Sequence, residues 1–132
     1  MRRLSLVIVA VLVAPSVACS NKLSGSVEVN GETLKIESCR NGAVHGYRGV
    51  ELTASNGTRL RVGALPTGAA GVIVMPPGAT VGTELGVGCG SLTISDQNST
   101  VNNVKNVEGK AVLDCEAAGF KVKGQVTFAN CH

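Results

Sequence analysis

The sequence predicts an all-β domain: a small, disulfide-bonded antiparallel β-sandwich, with a β-barrel as the alternative. Three observations carry this. Short runs alternate apolar and polar residues with a period of two, and valine, whose branched side chain suits a pleated strand, dominates their apolar positions. Turn signals separate the runs at intervals of about 8–12 residues. Four cysteines are spread through the span 23–132, and no stretch of it sustains a 3.6-residue period.

The first element pair is the clearest. Leu23, Val27 and Val29 share one parity, Leu34 and Ile36 share another, and Asn30-Gly31 lies between. Asn-Gly between alternating runs predicts a tight hairpin, because a type I′ turn needs positive φ at both central residues. Glu28, Glu32, Lys35 and Glu37 are left to face water. The pattern then repeats. Val50, Leu52 and Ala54 alternate into Asn56-Gly57, Leu60 and Val62 alternate out of it, and Glu51, Arg59 and Arg61 take the opposite face.

Between the hairpins, residues 39–49 read as a loop marked by its glycines. It holds Arg40, His45, Tyr47 and Arg48, the most varied polar cluster in the chain. These four form a candidate binding loop for an anion or a partner. The plainer reading is a solvated connection with the Tyr47 ring lying on the sheet.

Residues 63–88 contain seven glycines, the Pro76-Pro77-Gly78 turn and a short apolar run, 72–75, whose continuity predicts burial on both faces. No GxxxxGK[ST] occurs, so a phosphate-cradling loop is excluded. The glycines fit bends and bulges in curved strands. Leu85, Val87 and Cys89 alternate, and Leu92 and Ile94 form a further short strand. Residues 95–103, rich in Asp, Asn, Ser and Thr, read as a polar connection, and Asp96 alone supplies too few acidic oxygens for a calcium loop. Ala111, Leu113 and Cys115 alternate into the turn 117–119. In the last strand Val122, Val126 and Phe128 face inward against Lys121, Lys123, Gln125 and Thr127. That makes about nine strands and no required helix.

The first twenty residues set the location. Arg2 and Arg3 precede an almost unbroken run of Leu, Val, Ile and Ala over residues 4–14, which Pro15 and Ser16 end before Val17-Ala18. This is the build of a secretory signal peptide, residues 1–18; the apolar run is shorter than the roughly 20 residues that span a bilayer. Ser16-Val17-Ala18-Cys19 resembles the lipobox of bacterial lipoproteins. The resemblance covers only the leader and Cys19, and Ser16 stands where that family usually carries Leu or a similar aliphatic residue. It implies that the leader is cut before Cys19 and that the Cys19 thiol is acylated with palmitate-like chains. The protein is then tethered through residues 19–22 to a cell-envelope membrane without spanning it, and residues 23–132 form the single domain. Two or more acyl chains, at ~0.8 kcal/mol per buried CH₂, give stable anchoring. An ordinary signal-peptidase cut at the same bond, releasing a soluble exported protein, is the alternative. The early Asn30-Gly31 hairpin with Cys39 and the terminal Cys131 is also loosely similar to small mycobacterial surface lipoprotein antigens, which implies no activity.

Cysteine arithmetic favours acylation. The chain has five cysteines, and an odd thiol in an oxidising compartment needs an explanation; acylating Cys19 leaves Cys39, Cys89, Cys115 and Cys131, enough for two bridges. Four cysteines allow three pairings. A hairpin turning near Ala118 sets Cys115 opposite about residue 121, which leaves Cys131 roughly 30 Å farther along at ~3.3 Å per residue. A disulfide spans only ~4.4–6.8 Å between Cα atoms, so Cys115–Cys131 is disfavoured. Cys39–Cys131 with Cys89–Cys115 is preferred, because it pins the C-terminus to the end of the first hairpin. Cys39–Cys115 with Cys89–Cys131 stays open.

Composition narrows function further. Losing Arg2 and Arg3 with the leader takes the formal charge from +3 to +1, and the aromatics are only Tyr47, Phe120 and Phe128. That is poor equipment for nucleic acid. No CxxC pair supports a zinc site, and no metal or other cofactor is expected. The histidines are His45 and His132; neither neighbours a nucleophile motif, and His132 ends the chain. Asp96, Asp114 and the seven glutamates lie mostly on outward faces. The expected role is a lipid-anchored structural or binding module acting through its surface, on the membrane and toward an unidentified envelope protein. One alternative is a periplasmic hydrolase inhibitor using a protruding loop, 40–48 or 64–71; the other is a minor enzyme centred on His45.

Overall fold

The computed structural model describes residues 20–132. The leader, the lipobox-like stretch and Cys19 lie outside the described residues. Nine strands follow one another: β1 (Lys22–Val29), β2 (Glu32–Asn41), β3 (Gly49–Ala54), β4 (Arg59–Ala64), β5 (Ala70–Met75), β6 (Thr83–Gly86), β7 (Gly90–Val101), β8 (Val104–Ala117) and β9 (Phe120–Cys131). They form one sheet in the order β6-β5-β4-β3-β2-β1-β9-β8-β7, every neighbouring pair antiparallel.

The short β6–β7 connection dictates the shape. These strands are consecutive in sequence yet occupy opposite edges. In a flat sheet the edges would lie about 38 Å apart at ~4.8 Å per strand. The connection through residues 87–89 reaches at most about 14 Å. The sheet must therefore fold over on itself, and it does. Ala69 bridges Ser91, the Cys89 N–H donates to the Ala70 carbonyl at 3.2 Å, and the Leu92 N–H donates to the Gly68 carbonyl at 3.2 Å. The edge strands do not pair with each other, so the sheet does not close into a barrel. Its two flanks face across the core in sandwich fashion.

That core is aliphatic. Val27, Leu34, Ile36, Val50, Leu52, Leu60, Val62, Val72, Val74, Leu113, Val122 and Val126 are buried around Phe128, the largest fully buried side chain. Each contributes on the order of 1.5–3 kcal/mol by leaving water. The inward parities of both hairpins and of the last strand are those the alternation predicts.

Two disulfides staple the fold. Cys39 of β2 joins Cys131 of β9 with a Cα separation of 5.1 Å, and Cys89 joins Cys115 of β8 at 4.6 Å. β2 and β9 are second neighbours, flanking β1. In a flat sheet they would stand about 9.6 Å apart. They meet because β1 starts only at Lys22, leaving the Asn21 side chain to fill the gap. Its Oδ1 accepts from the Cys39 N–H at 3.0 Å and its Nδ2 donates to the Asn130 carbonyl at 2.8 Å. Asn21 and Lys22, expected in the tether, thus belong to the domain.

Several elements differ from the sequence reading. At Asn30-Gly31 both φ angles are positive, 51° and 84°, as a type I′ turn requires. At the second hairpin only Gly57 is positive, at 91°. There the turn is wider: the Gly57 N–H donates to the Ala54 carbonyl at 3.0 Å, and the Asn56 Oδ1 accepts from the Thr58 N–H at 2.9 Å. β2 continues through Cys39 and Arg40 to Asn41, which shortens the loop to residues 42–48. Ile73 is only half-buried, because the outer face of β5 has a partial cover rather than a second layer. Val87 is 60 % exposed, since β6 ends at Gly86. The polar stretch 95–101 is strand, not connection. No β8 residue before Val107 pairs with β9, so the far ends of β7 and β8 form a two-stranded arm, largely exposed apart from the buried Asn106, turning at Asn102-Asn103 with φ of 50° and 65°. An arm without a core side has no apolar alternation to read.

Candidate functional site

The loop 42–48 folds back onto the outside of the sheet. The Gly42 N–H donates to the Gly49 carbonyl at 3.2 Å, and Val44 and Tyr47 exchange backbone hydrogen bonds at 2.9 and 3.0 Å. His45 (φ 49°) and Gly46 (φ 78°) form the tight turn between them; histidine is among the residues that tolerate this left-handed region. An Arg61 guanidinium nitrogen donates to the Ala43 carbonyl at 3.3 Å, and the Ala64 N–H donates to the Arg48 carbonyl at 2.8 Å. Residues 65–69 close on themselves through Leu65 N–H to the Ala69 carbonyl at 2.9 Å and are tied to β7 by the Leu92 N–H donating to the Gly68 carbonyl at 3.2 Å.

What holds the loop down is a lane of glycines. Gly49, Gly63 and Gly71 stand in register across β3, β4 and β5. With no Cβ on any of them, the outer face of the sheet carries a shallow trough. Val44 fills one end of it and is 5 % exposed. The other end, over Gly71 and Gly86, is open. Its free volume is about 120 Å³. Its walls are the aliphatic side chains of Leu65, Ile73 and Val87 and the Tyr47 ring, and His45 and Glu84 stand at its mouth.

The four residues nominated from the sequence therefore separate. His45 and Tyr47 border the trough. His45 Nε2 contacts the Glu84 carboxylate, both side chains being more than half exposed, and an exposed pair of this kind adds little stability. Arg48 turns away to pair with Asp96 on β7. Arg40 is exposed on β2, opposite Glu51 of β3. Leu65, Ile73, Glu84 and Val87 were missed. The glycine spacing held a usable signal: Gly49 and Gly63 are equidistant from the Asn56 turn, and Gly63 and Gly71 from Thr67, so registering the hairpins aligns all three.

Chemically, the trough offers an apolar slot with one imidazole and one carboxylate at its rim. Its lining contains no Ser, Thr, Cys, Asp or Lys. Among the described residues no three His, Cys, Asp or Glu side chains gather as metal ligands, and no helix is long and apolar enough to cross a membrane. The two disulfides are compatible with an exported, non-cytoplasmic protein. Comparison with protein-family models, curated proteins and solved structures finds no match.

Proposed function

We propose that this is an exported cell-envelope lipoprotein, acylated at Cys19 and held on a membrane by that lipid, whose β domain is a surface-acting binding module for an aliphatic group. The observation that carries the binding role is the open half of the glycine trough. Val44 already occupies the other half, so the chain itself supplies an example of the chemistry the slot accepts. The leader, the cysteine left over once two bridges form, and the disulfides support the location.

The alternatives have less behind them. A hydrolase inhibitor needs a projecting loop, and residues 42–48 and 65–69 are both held down by backbone hydrogen bonds. A reaction at His45 would start from its contact with Glu84, but the slot offers it no Ser, Thr, Cys or Lys to activate.

Two measurements test the proposal. Incorporation of a clickable palmitate is expected in the wild-type protein and lost in Cys19→Ala, with both disulfides retained; label persisting in Cys19→Ala refutes acylation at this site. Titration with dodecanol, followed by amide NMR shifts, is expected to perturb Gly71, Gly86 and Val87 and to leave Gly71→Val unmoved. Shifts absent at solubility-limited dodecanol refute the binding role.

A further inference from the structure

One end of the domain gathers the chain's exit toward Cys19, the loop 42–48 and the β7–β8 arm. The Asn130 Nδ2 donates to the Ser20 carbonyl at 3.4 Å, and its Oδ1 accepts from Gln97 at 3.1 Å, at the root of the arm. Asn41 Nδ2, at the end of β2, donates to the Lys105 carbonyl at 2.9 Å, and Arg48 reaches Asp96. These bonds cross between three separate segments and fix them as one surface.

The surface carries exposed groups of two kinds. Tyr47 is 44 % exposed and Val104, beside the tip of the arm, is 41 % exposed. Lys22, Arg40 and Lys105 are exposed and form no ion pair among the described residues. Tyrosine favours the boundary between headgroups and acyl chains, and lysine and arginine are drawn to an anionic lipid surface. At the opposite end, on the β5–β6 loop, Val81 is more exposed still, at 80 %, but no tether leaves from there.

We propose that this end is a bilayer-contacting face, on which Tyr47 and Val104 enter the interface of an anionic phospholipid membrane while Lys22, Arg40 and Lys105 meet its headgroups. The inference rests on the anchoring reading, because the tether leaving at Ser20 is what keeps this end against the membrane. The domain then sits on the bilayer in one orientation instead of tumbling at the end of its lipid, with the arm directed inward.

The chain has no tryptophan, so a single introduced one is an unambiguous reporter. Full-length Tyr47→Trp, Val104→Trp and Val81→Trp proteins, each processed, acylated and oxidised in the cell, are reconstituted on vesicles of phosphatidylglycerol and phosphatidylcholine with brominated acyl chains. Tryptophan at 47 and at 104 is expected to be quenched at least twofold more than at 81. Adding Lys22→Glu, Arg40→Glu and Lys105→Glu together, or raising salt, is expected to shrink that contrast. Protein that sediments with the vesicles but quenches equally at all three positions overturns this inference and leaves the anchoring intact. Protein that stays in the supernatant overturns the anchoring and this inference with it.

Discussion

Val44 occupies the space that a side chain on Gly49 or Gly63 would need. A Cβ on Gly49 would lie 2.7 Å from Val44 Cγ2, and one on Gly63 would lie 3.1 Å from Val44 Cβ. A residue from a loop is thereby packed on the outside of a sheet whose interior is elsewhere.

Gly49→Ala is expected to destabilise by about 1–3 kcal/mol, the usual cost of overpacking. A Cβ there also meets the Val62 and Gly42 carbonyl oxygens at 2.7 and 2.8 Å, which cannot swing aside. Gly71→Ala is expected to stay within about 0.5 kcal/mol, because its nearest neighbours would lie at 3.7–3.9 Å. Urea unfolding of the two variants checks the contrast, and equal losses would mean the lane does not seat Val44.

The two bridges are expected to differ in worth. Cys39–Cys131 closes 92 residues and Cys89–Cys115 closes 26. On the chain-entropy model these contribute about 4.6 and about 3.5 kcal/mol. The double Cys→Ala variants, compared by denaturant unfolding, are expected to fall in that order.

Asn30 joins two turns. Its N–H donates to the Lys121 carbonyl at 2.9 Å and its Oδ1 accepts from the Lys121 N–H at 2.8 Å. Asn30→Gly keeps the left-handed backbone and loses the two side-chain bonds, this one and the long 3.4 Å donation from Nδ2 to the Gly119 carbonyl, so a cost of about 1–2 kcal/mol is expected. Asn30→Ala adds the strain of a left-handed alanine, about 1–2 kcal/mol more. The difference between the two variants in thermal or urea unfolding isolates that strain.

Asn106 is 3 % exposed, donates to Ser99 Oγ at 2.8 Å, and its Oδ1 meets no hydrogen-bond donor among the described residues. Ser99→Ala alone is expected to cost about 1–3 kcal/mol by stranding the amide nitrogen as well. Asn106→Leu combined with Ser99→Ala is expected to be neutral or stabilising, since replacing both partners by apolar groups removes the desolvation penalty. Unfolding measurements on the two variants decide it.

How much of this could be read from the chain follows from which interactions are local. Asn30-Gly31 and the alternation around it specify the first hairpin within a few residues. Reach alone removed Cys115–Cys131, since the last hairpin carries Cys131 away from Cys115; the choice between the two remaining sets depends on how the sheet folds over, which only the structure shows. The trough was not legible, because Gly49, Gly63 and Gly71 become neighbours only once three strands are in register. The polar stretch 95–101 was misread for the complementary reason: a largely exposed ribbon, whose one buried side chain is the polar Asn106, has no apolar face to impose a period. Of the nominated loop residues, His45 and Tyr47 reach the trough, while the partners of Arg40 and Arg48 are set by β3 and β7, which the loop's own sequence does not specify.

The nested pairing of the cysteines bears on how the chain matures. A polypeptide threaded N-terminus first presents Cys39, then Cys89, then Cys115, and its last strand only at the finish. On the export route proposed above, the thiol at Cys39 waits through nearly the whole of translocation for its native partner, beside two earlier ones. Oxidation in order of emergence would join Cys39 to Cys89, a pairing that has to be reshuffled before the native nested bridges can form.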